Sequence, residues 1–114
     1  MNIDYARKMK QIKRPLDRLV LQALMESPLT RGQLMAVTGH DDRVNRLAIE
    51  RLRNAGIVIV SSSKKAGYRL ARDEKDVRAF VDDMQARARK ANRTASKVKQ
   101  AYGLKNQQSM ELAG

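Results

Sequence analysis

The feature that most constrains this fold is a close series of helix start and stop signals in the middle of the chain. Thr30 and Gln33 have the spacing of a capping box, in which each side chain accepts a hydrogen bond from the other residue's backbone amide. Gly39 has the backbone freedom that a tight turn needs, and Asp41 or Asp42 can cap a following helix. The signals predict a short helix over about 31–38, a tight turn, and a second helix that ends near Asn54.

A hairpin is predicted directly after the second helix. Asn54-Ala55-Gly56 stops the helix, and Ile57-Val58-Ile59-Val60 is a β-branched run of strand length. A polar loop follows, and Tyr68-Arg69-Leu70-Ala71 returns as the second strand. Because a lone hairpin is unstable in water, one face of it must pack on the helices. Tyr68 and Leu70 share a face and are expected to make that contact.

Two further segments precede this region. Residues 1–15 form a basic leader, which we interpret either as a solvated tail or as an arm that contacts DNA or packs in a dimer. From Leu16 the apolar spacing becomes that of one helical face, and Ser27-Pro28 ends this helix. The residues of the predicted face are Leu16, Leu19, Val20, Ala23 and Leu24.

A long helix is predicted after Asp73, its expected N-cap. Small or apolar residues recur along it at alternating intervals of four and three, which is the spacing of a coiled-coil seam. Alanines in the middle bury little area each, so the seam is weaker than one made of leucines. The predicted dimer interface consists of Val77, Val81, Met84, Ala88, Ala91, Ala95, Val98 and Tyr102. The spacing therefore predicts that residues 73–102 form a long basic dimerisation helix, and 103–114 are expected to be a flexible tail.

Composition limits the partners of this chain. It has 24 Lys plus Arg against 12 Asp plus Glu, a formal net charge of +12, so its field attracts nucleic acid or an anionic membrane surface. The absence of cysteine and the single histidine, His40, argue against a zinc site, and no cofactor is predicted. No apolar run is long enough to span a bilayer, so we expect a cytoplasmic protein, associated with the nucleoid when bound to DNA, with no membrane partner.

The second helix of the pair is the candidate DNA-reading element. Val44, Ala48 and Leu52, flanked by Leu47 and Ile49, are expected to face the core. That leaves Asp42, Arg43, Asn45, Arg46 and Glu50 exposed. Bidentate contacts to guanine are predicted for Arg43 and Arg46, and to adenine for Asn45. Either acid, Asp42 or Glu50, can instead pair with Arg46.

The phosphate backbone is expected to contact a second group of side chains, which lie at helix ends and at the hairpin tip. A helix start presents unpaired amides that favour anions. The predicted backbone contacts are Thr30, Arg31, Arg51, Lys64 and Lys65, and Arg53 is expected to face phosphates or solvent.

Together these motifs resemble the winged helix-turn-helix of small bacterial and phage DNA-binding proteins. The similarity is to the N-terminal domain of the biotin-operon-repressor type and to phage or prophage regulators. It spans about residues 16–72 and depends on three segments: LTRGQLMAVTG at 29–39, RNAGI at 53–57 and GYRL at 67–70. The family usually has Ser or Thr at the position of Asp41, and an apolar residue at that of Asn45. The resemblance implies a mostly α fold with a small β-hairpin, a winged helix-turn-helix domain followed by a long C-terminal helix.

The leading hypothesis is a sequence-specific double-stranded DNA-binding protein, a transcriptional regulator that binds as a homodimer. One alternative is a protein-interaction module that docks a host polymerase or replication factor. Another is a non-specific architectural or replicative DNA-binding protein. An enzyme is not expected, because the chain lacks a nucleophile elbow and a P-loop, and adjacent Asp82 and Asp83 point away from each other on a helix.

Overall fold

The structure is a computed structural model that describes residues 2–62 and 66–104. Within these residues, five helices and three short strands follow one another. In order, they are α1 (Tyr5–Met9), α2 (Pro15–Glu26), β1 (Leu29–Thr30), α3 (Arg31–Thr38), α4 (Asp42–Asn54), β2 (Ile59–Ser62), β3 (Gly67–Leu70) and α5 (Glu74–Ala101). The protein is therefore mostly helical, with a small antiparallel sheet and a long C-terminal helix. None of the helices in the described residues is both long and apolar enough to cross a membrane.

The chain divides into two compact units, Met1–Phe80 and Val81–Gly114. The core lies in the first unit and is formed by apolar side chains from α2, α3, α4 and the sheet. Its fully buried members include Val20, Leu21, Leu34, Ile49, Leu52, Ile57 and Ile59. Leu19, expected on the inner face of α2, is 41% exposed, while Leu21 is completely buried. The apolar face of α2 is thus rotated from the one predicted.

Local start and stop signals placed α3, α4 and α5 correctly. Thr30 and Gln33 form the predicted capping box at the start of α3. Asp41 caps α4 by accepting from the Val44 amide at 2.9 Å, and Asp73 accepts from the Asp76 amide at 2.9 Å at the start of α5. Each of these bonds joins residues three apart in sequence, which is why the sequence alone revealed them.

The sheet has one more strand than predicted. Its order is β1-β3-β2, with both pairs antiparallel, and Leu29 and Thr30 of β1 lie opposite Tyr68 and Gly67 of β3. Hairpin strand β2 begins at Ile59, two residues later than expected. Tyr68 and Leu70 are buried, 5% and 9% exposed, as their shared face predicted.

The basic leader folds onto the first unit. It contains α1, and both Met9 and Ile12 are buried members of the core. The guanidinium of Arg18 donates to the carbonyls of Met9 and Ile12 at 2.9 and 2.8 Å, and the Tyr5 hydroxyl donates to the Ala71 carbonyl at 2.6 Å. A solvated tail is therefore the wrong interpretation of this segment.

Candidate nucleic-acid interface

The turn between α3 and α4 is closed by a buried asparagine. Gly39 takes the left-handed conformation, with φ of 71°, and ends α3. The Thr38 hydroxyl donates to Asn45 Oδ1 at 2.9 Å, and Asn45 Nδ2 donates to the His40 carbonyl at 3.4 Å. Asn45 is only 1% exposed. Its amide holds the turn together, so the prediction that Asn45 faces DNA and contacts adenine is wrong.

The apolar face of α4 also differs from the predicted one. Asn45, Ala48, Ile49 and Leu52 are the buried residues of this helix, and their spacing of three and four defines a single inward face. Leu47, which was expected in the core, is 47% exposed. The helix is therefore rotated about its axis relative to the prediction. One feature of the sequence could have indicated this rotation. The family that the chain resembles usually has an apolar residue at the position of Asn45, which suggests that this position is buried.

The outward face of α4 carries Arg43, Arg46, Leu47 and Glu50. Arg46 Nε lies 3.1 Å from Asp42 Oδ2, which confirms one of the two predicted partners of this arginine. The arginine side chain is 59% exposed, so solvent weakens the pair and Arg46 can exchange this carboxylate for another anion at little cost. Arg43 and Arg46 thus lie on one exposed face of one helix.

Arg51 was predicted to contact phosphate, and the structure assigns it a different partner. Its Nε and Nη2 atoms donate to both oxygens of Asp17 in α2, at distances from 2.8 to 3.2 Å. Asp17 is 5% exposed, and the hydrogen bonds that it accepts raise the pKa of the Arg51 guanidinium. Arg51 therefore compensates a buried carboxylate and is not free for DNA. The sequence contains no local signal for this pair because its members are in different helices.

Arg53 is likewise committed to the fold. Its guanidinium donates to the Ile59 carbonyl at 3.0 and 2.7 Å and to the Ser61 hydroxyl at 3.1 Å, and it lies 5.3 Å from the ring centroid of Phe80. These contacts join the end of α4 to β2 and to the first turns of α5. Arg53 is partly exposed, and its guanidinium has partners within the fold that the sequence did not predict.

The start of α3 offers fewer groups to a phosphate than predicted. The Thr30 hydroxyl accepts from the Gln33 amide at 3.1 Å, and the Arg31 amide donates to the Ala66 carbonyl at 3.1 Å. The hydroxyl and that amide are thus occupied within the fold, whereas the Arg31 side chain is exposed. Lys64 and Lys65, the predicted contacts at the hairpin tip, lie outside the described residues.

The predicted seam of α5 is exposed along almost its whole length. Val81, Met84, Val98 and Tyr102 are 43%, 46%, 49% and 78% exposed. Ala88, Ala91 and Ala95 are also exposed, and Val77, in the first unit, is partly buried. Within residues 2–62 and 66–104 no other part of the chain buries residues 81–102 of the seam, so the dimer interface remains a prediction.

Comparisons with protein-family models, with curated proteins and with solved structures find no match to this chain.

Proposed function

We propose that residues 16–72 form a winged helix-turn-helix that binds duplex DNA, with α4 as the recognition helix and the β2–β3 hairpin as the wing. The observation that carries this proposal is the exposed face of α4. Its opposite face is fixed in the core by Ala48, Ile49 and Leu52, so Arg43 and Arg46 project from a rigidly held helix. The major groove of B-DNA accepts one α-helix, and arginine is the side chain that most often reads its guanines.

The rotation of α4 changes the set of residues proposed to read bases. Arg43 and Arg46 remain, each suited to the O6 and N7 acceptors of guanine. Leu47 replaces Asn45 as the third residue proposed to contact bases. Its side chain is exposed and apolar, which suits contact with the methyl group of thymine. On binding, Arg46 exchanges Asp42 for the base, and Arg31 at the start of α3 contacts a phosphate.

The protein is proposed to act as a homodimer joined through the seam of α5. Dimers of this class place two recognition helices one helical turn of DNA apart, so their sites are palindromic. A basic, palindrome-reading dimer is suited to transcriptional regulation in the cytoplasm. The net charge of +12 supports the same partner, because it increases the rate of encounter with DNA.

Selection of duplexes from a random pool, followed by titration of the best site against a scrambled duplex at several salt concentrations, tests the proposal. If about six phosphates are neutralised, log K should fall with log salt at a slope near −5. Arg43→Gln, Arg46→Gln and Leu47→Ala should each reduce preference for the selected site. Arg78→Gln, at an exposed position of α5, is the matched control and should retain it. Equal affinity of the wild-type protein for both duplexes would contradict sequence-specific binding.

A second candidate function is non-specific duplex binding. It is favoured by the burial of Asn45 and by the pairing of Arg46 with Asp42, which together leave few free polar groups for reading bases. The same titration separates the two functions. Substitutions on α4 would then lower the affinities for both duplexes slightly and equally.

A further inference from the structure

The second half of α5 differs from the first in how its charges are balanced. In the first half, bases pair with an acid one turn earlier: Arg78 with Glu74 at 3.5 Å and Arg87 with Asp83 at 3.0 Å. After Asp83 the sequence has no acid until Glu111. The segment between them contains Arg89, Lys90, Arg93, Lys97 and Lys99.

Three of these bases form an uninterrupted stripe. Arg89, Arg93 and Lys97 follow one another at intervals of four residues, so they lie on neighbouring turns of one face. All three are exposed. Like charges at this spacing repel each other and destabilise an isolated helix. If this face were only exposed to solvent, alternating acids and bases, as in the first half of α5, would give a more stable helix.

The helix dipole does not account for the stripe. A base stabilises a helix through the dipole only within the last turn. Because α5 ends at Ala101, Arg89 and Arg93 lie too far from its end to act in this way. A bound polyanion, in contrast, would relieve the repulsion along the whole stripe.

The stripe lies on the side of the helix opposite to the seam. At 3.6 residues per turn, Arg89, Arg93 and Lys97 are roughly opposite Ala88, Ala91 and Ala95. A second copy docked on the seam would therefore leave the stripe exposed. Dimerisation and binding of a polyanion are thus compatible on the same helix.

The chemistry of the seam favours nucleic acid over a membrane as this polyanion. Helices that lie in a membrane interface bury large side chains such as Trp, Phe and Leu on their apolar face. The middle of this apolar face consists of Ala88, Ala91 and Ala95, which offer little area to lipid.

We infer that the exposed stripe formed by Arg89, Arg93 and Lys97 is a second DNA-binding surface, which contacts the phosphate backbone without reading sequence. This inference rests on the proposed binding of duplex DNA but not on the reading of bases by α4. The stripe adds affinity for duplex of any sequence and makes that affinity strongly dependent on salt.

The test compares the full-length triple variant Arg89→Gln/Arg93→Gln/Lys97→Gln with a charge-matched control, Lys8→Gln/Lys10→Gln/Lys13→Gln. Glutamine preserves helix propensity, so helical content by circular dichroism should not change. On a scrambled duplex, loss of three phosphate contacts should reduce the salt slope by about 2.7 per chain and weaken binding at least tenfold at low salt. The control should change the slope by less than half of this amount.

Each outcome separates this inference from the proposed function. If the triple variant and the control lost equal amounts of affinity and of salt slope, overall charge would account for the affinity, and the inference would be overturned. If the wild-type protein preferred a selected site but the salt slope of the triple variant were unchanged, the inference would be overturned and the proposed function would stand. Tighter wild-type binding to phosphatidylserine vesicles than to duplex, lost in the triple variant, would assign the stripe to a membrane. In the last case, the wild-type protein has no sequence preference, and the salt slope falls in the triple variant but not in the control. This result would support the inference and contradict sequence-specific reading by α4.

Discussion

At the scale of single residues, one buried amide determines which face of α4 is exposed. Asn45 is polar and lies in the first turn of a basic helix, so periodicity alone assigns it to solvent. In the structure its two polar atoms are satisfied by Thr38 and His40, and burial therefore costs little. The consequence is that Leu47 turns outward, beside Arg43 and Arg46.

Asn45→Ala should destabilise the fold without altering sequence preference. The change leaves the partially buried Thr38 hydroxyl without its acceptor, and we expect a loss of about 1–3 kcal/mol in the free energy of unfolding. Urea denaturation measures this loss, and the ratio of affinities for selected and scrambled duplex measures preference. A lost preference with unchanged stability would show that Asn45 reads bases after all.

Arg51→Ala should also act through stability. It removes the bidentate partner of Asp17, whose carboxylate is 5% exposed, and the expected cost is about 1–3 kcal/mol. Arg51→Lys retains the charge but not the paired hydrogen bonds, so it should recover only part of the loss. The salt slope of DNA binding, measured on folded protein, should remain unchanged. If the slope fell by about 0.9 without a loss of stability, Arg51 would be a phosphate contact.

At the scale of secondary-structure elements, the sheet depends on a close approach that only glycine permits. A Cβ atom on Gly67 would lie 2.6 Å from the Leu29 carbonyl oxygen and 3.1 Å from the Thr30 Cα. The pairing of β1 with β3 thus requires a missing side chain at this position. The same glycine begins the strand that carries buried Tyr68 and Leu70.

Gly67→Ala should weaken the sheet and Gly32→Ala should not. We expect the first change to cost about 1–3 kcal/mol, because the backbone of β1 must move. Gly32 lies in α3 with nothing within 4 Å of an added Cβ, so alanine there should stabilise the helix by about 0.5–1 kcal/mol. Thermal unfolding of both variants tests the contrast. Equal shifts in the two melting temperatures would argue against close β1–β3 packing.

The junction between β3 and α5 should be sensitive to acid. Hydrogen bonds from the Arg69 guanidinium, and then from the Arg72 backbone amide, hold the pKa of Asp76 well below its usual range. A carboxyl group with a lowered folded pKa stabilises the protein above its unfolded pKa of about 3.9, and this contribution is lost as the pH falls toward the folded pKa.

Asp76→Asn should therefore be less stable than the wild type near neutral pH, and the difference should shrink below about pH 4. Arg69→Gln should make the free energy of unfolding less dependent on pH in the same acidic range, because it removes the main cause of the lowered pKa of Asp76. Urea midpoints measured across the acidic range test both variants. A difference that stays constant down to the lowest pH would contradict the role of this pair.

At the scale of the whole molecule, the first unit contains the core, and the part of the second unit that the structure describes, residues 81–104, has no buried residue. Along residues 81–98 every side chain is exposed. A helix of this kind gains little from packing within its own chain, and most helical stability in proteins comes from such packing. The proposed dimer and the proposed DNA contact each supply a partner for one of its faces.

Ala91→Glu should disrupt the homodimer, because it places a charge in the middle of the seam. Ala86→Glu is the matched control, since Ala86 is exposed and lies on the side of α5 away from the seam. Sedimentation equilibrium at several protein concentrations should give the mass of two chains for the wild type and the control, and that of one chain for Ala91→Glu. A wild-type protein that remains a monomer would remove the seam as a dimer interface.

The order and approximate bounds of α2 to α5, and the existence of the hairpin, could be predicted from the sequence, whereas α1 was not predicted. Caps and turns act over three or four residues, so Thr30, Gly39, Asp41 and Asp73 could be interpreted without knowledge of the fold. The exposure of Arg43 and Arg46 was predicted from the apolar spacing of α4 and is confirmed.

The rotation of α4, the partner of Arg51 and the third strand depend on contacts between distant parts of the chain, so the sequence pattern did not reveal them. Each of these depends on groups that are distant in sequence: Asp17 contacts Arg51 from another helix, and β1 pairs with β3 across the whole α3–α4 segment. Periodicity specifies that a helix has a buried face, but competition for space and for hydrogen-bond partners in the core determines which residues form it. For this reason the sequence located the candidate DNA-binding helix, and the structure determined which of its side chains are free to act.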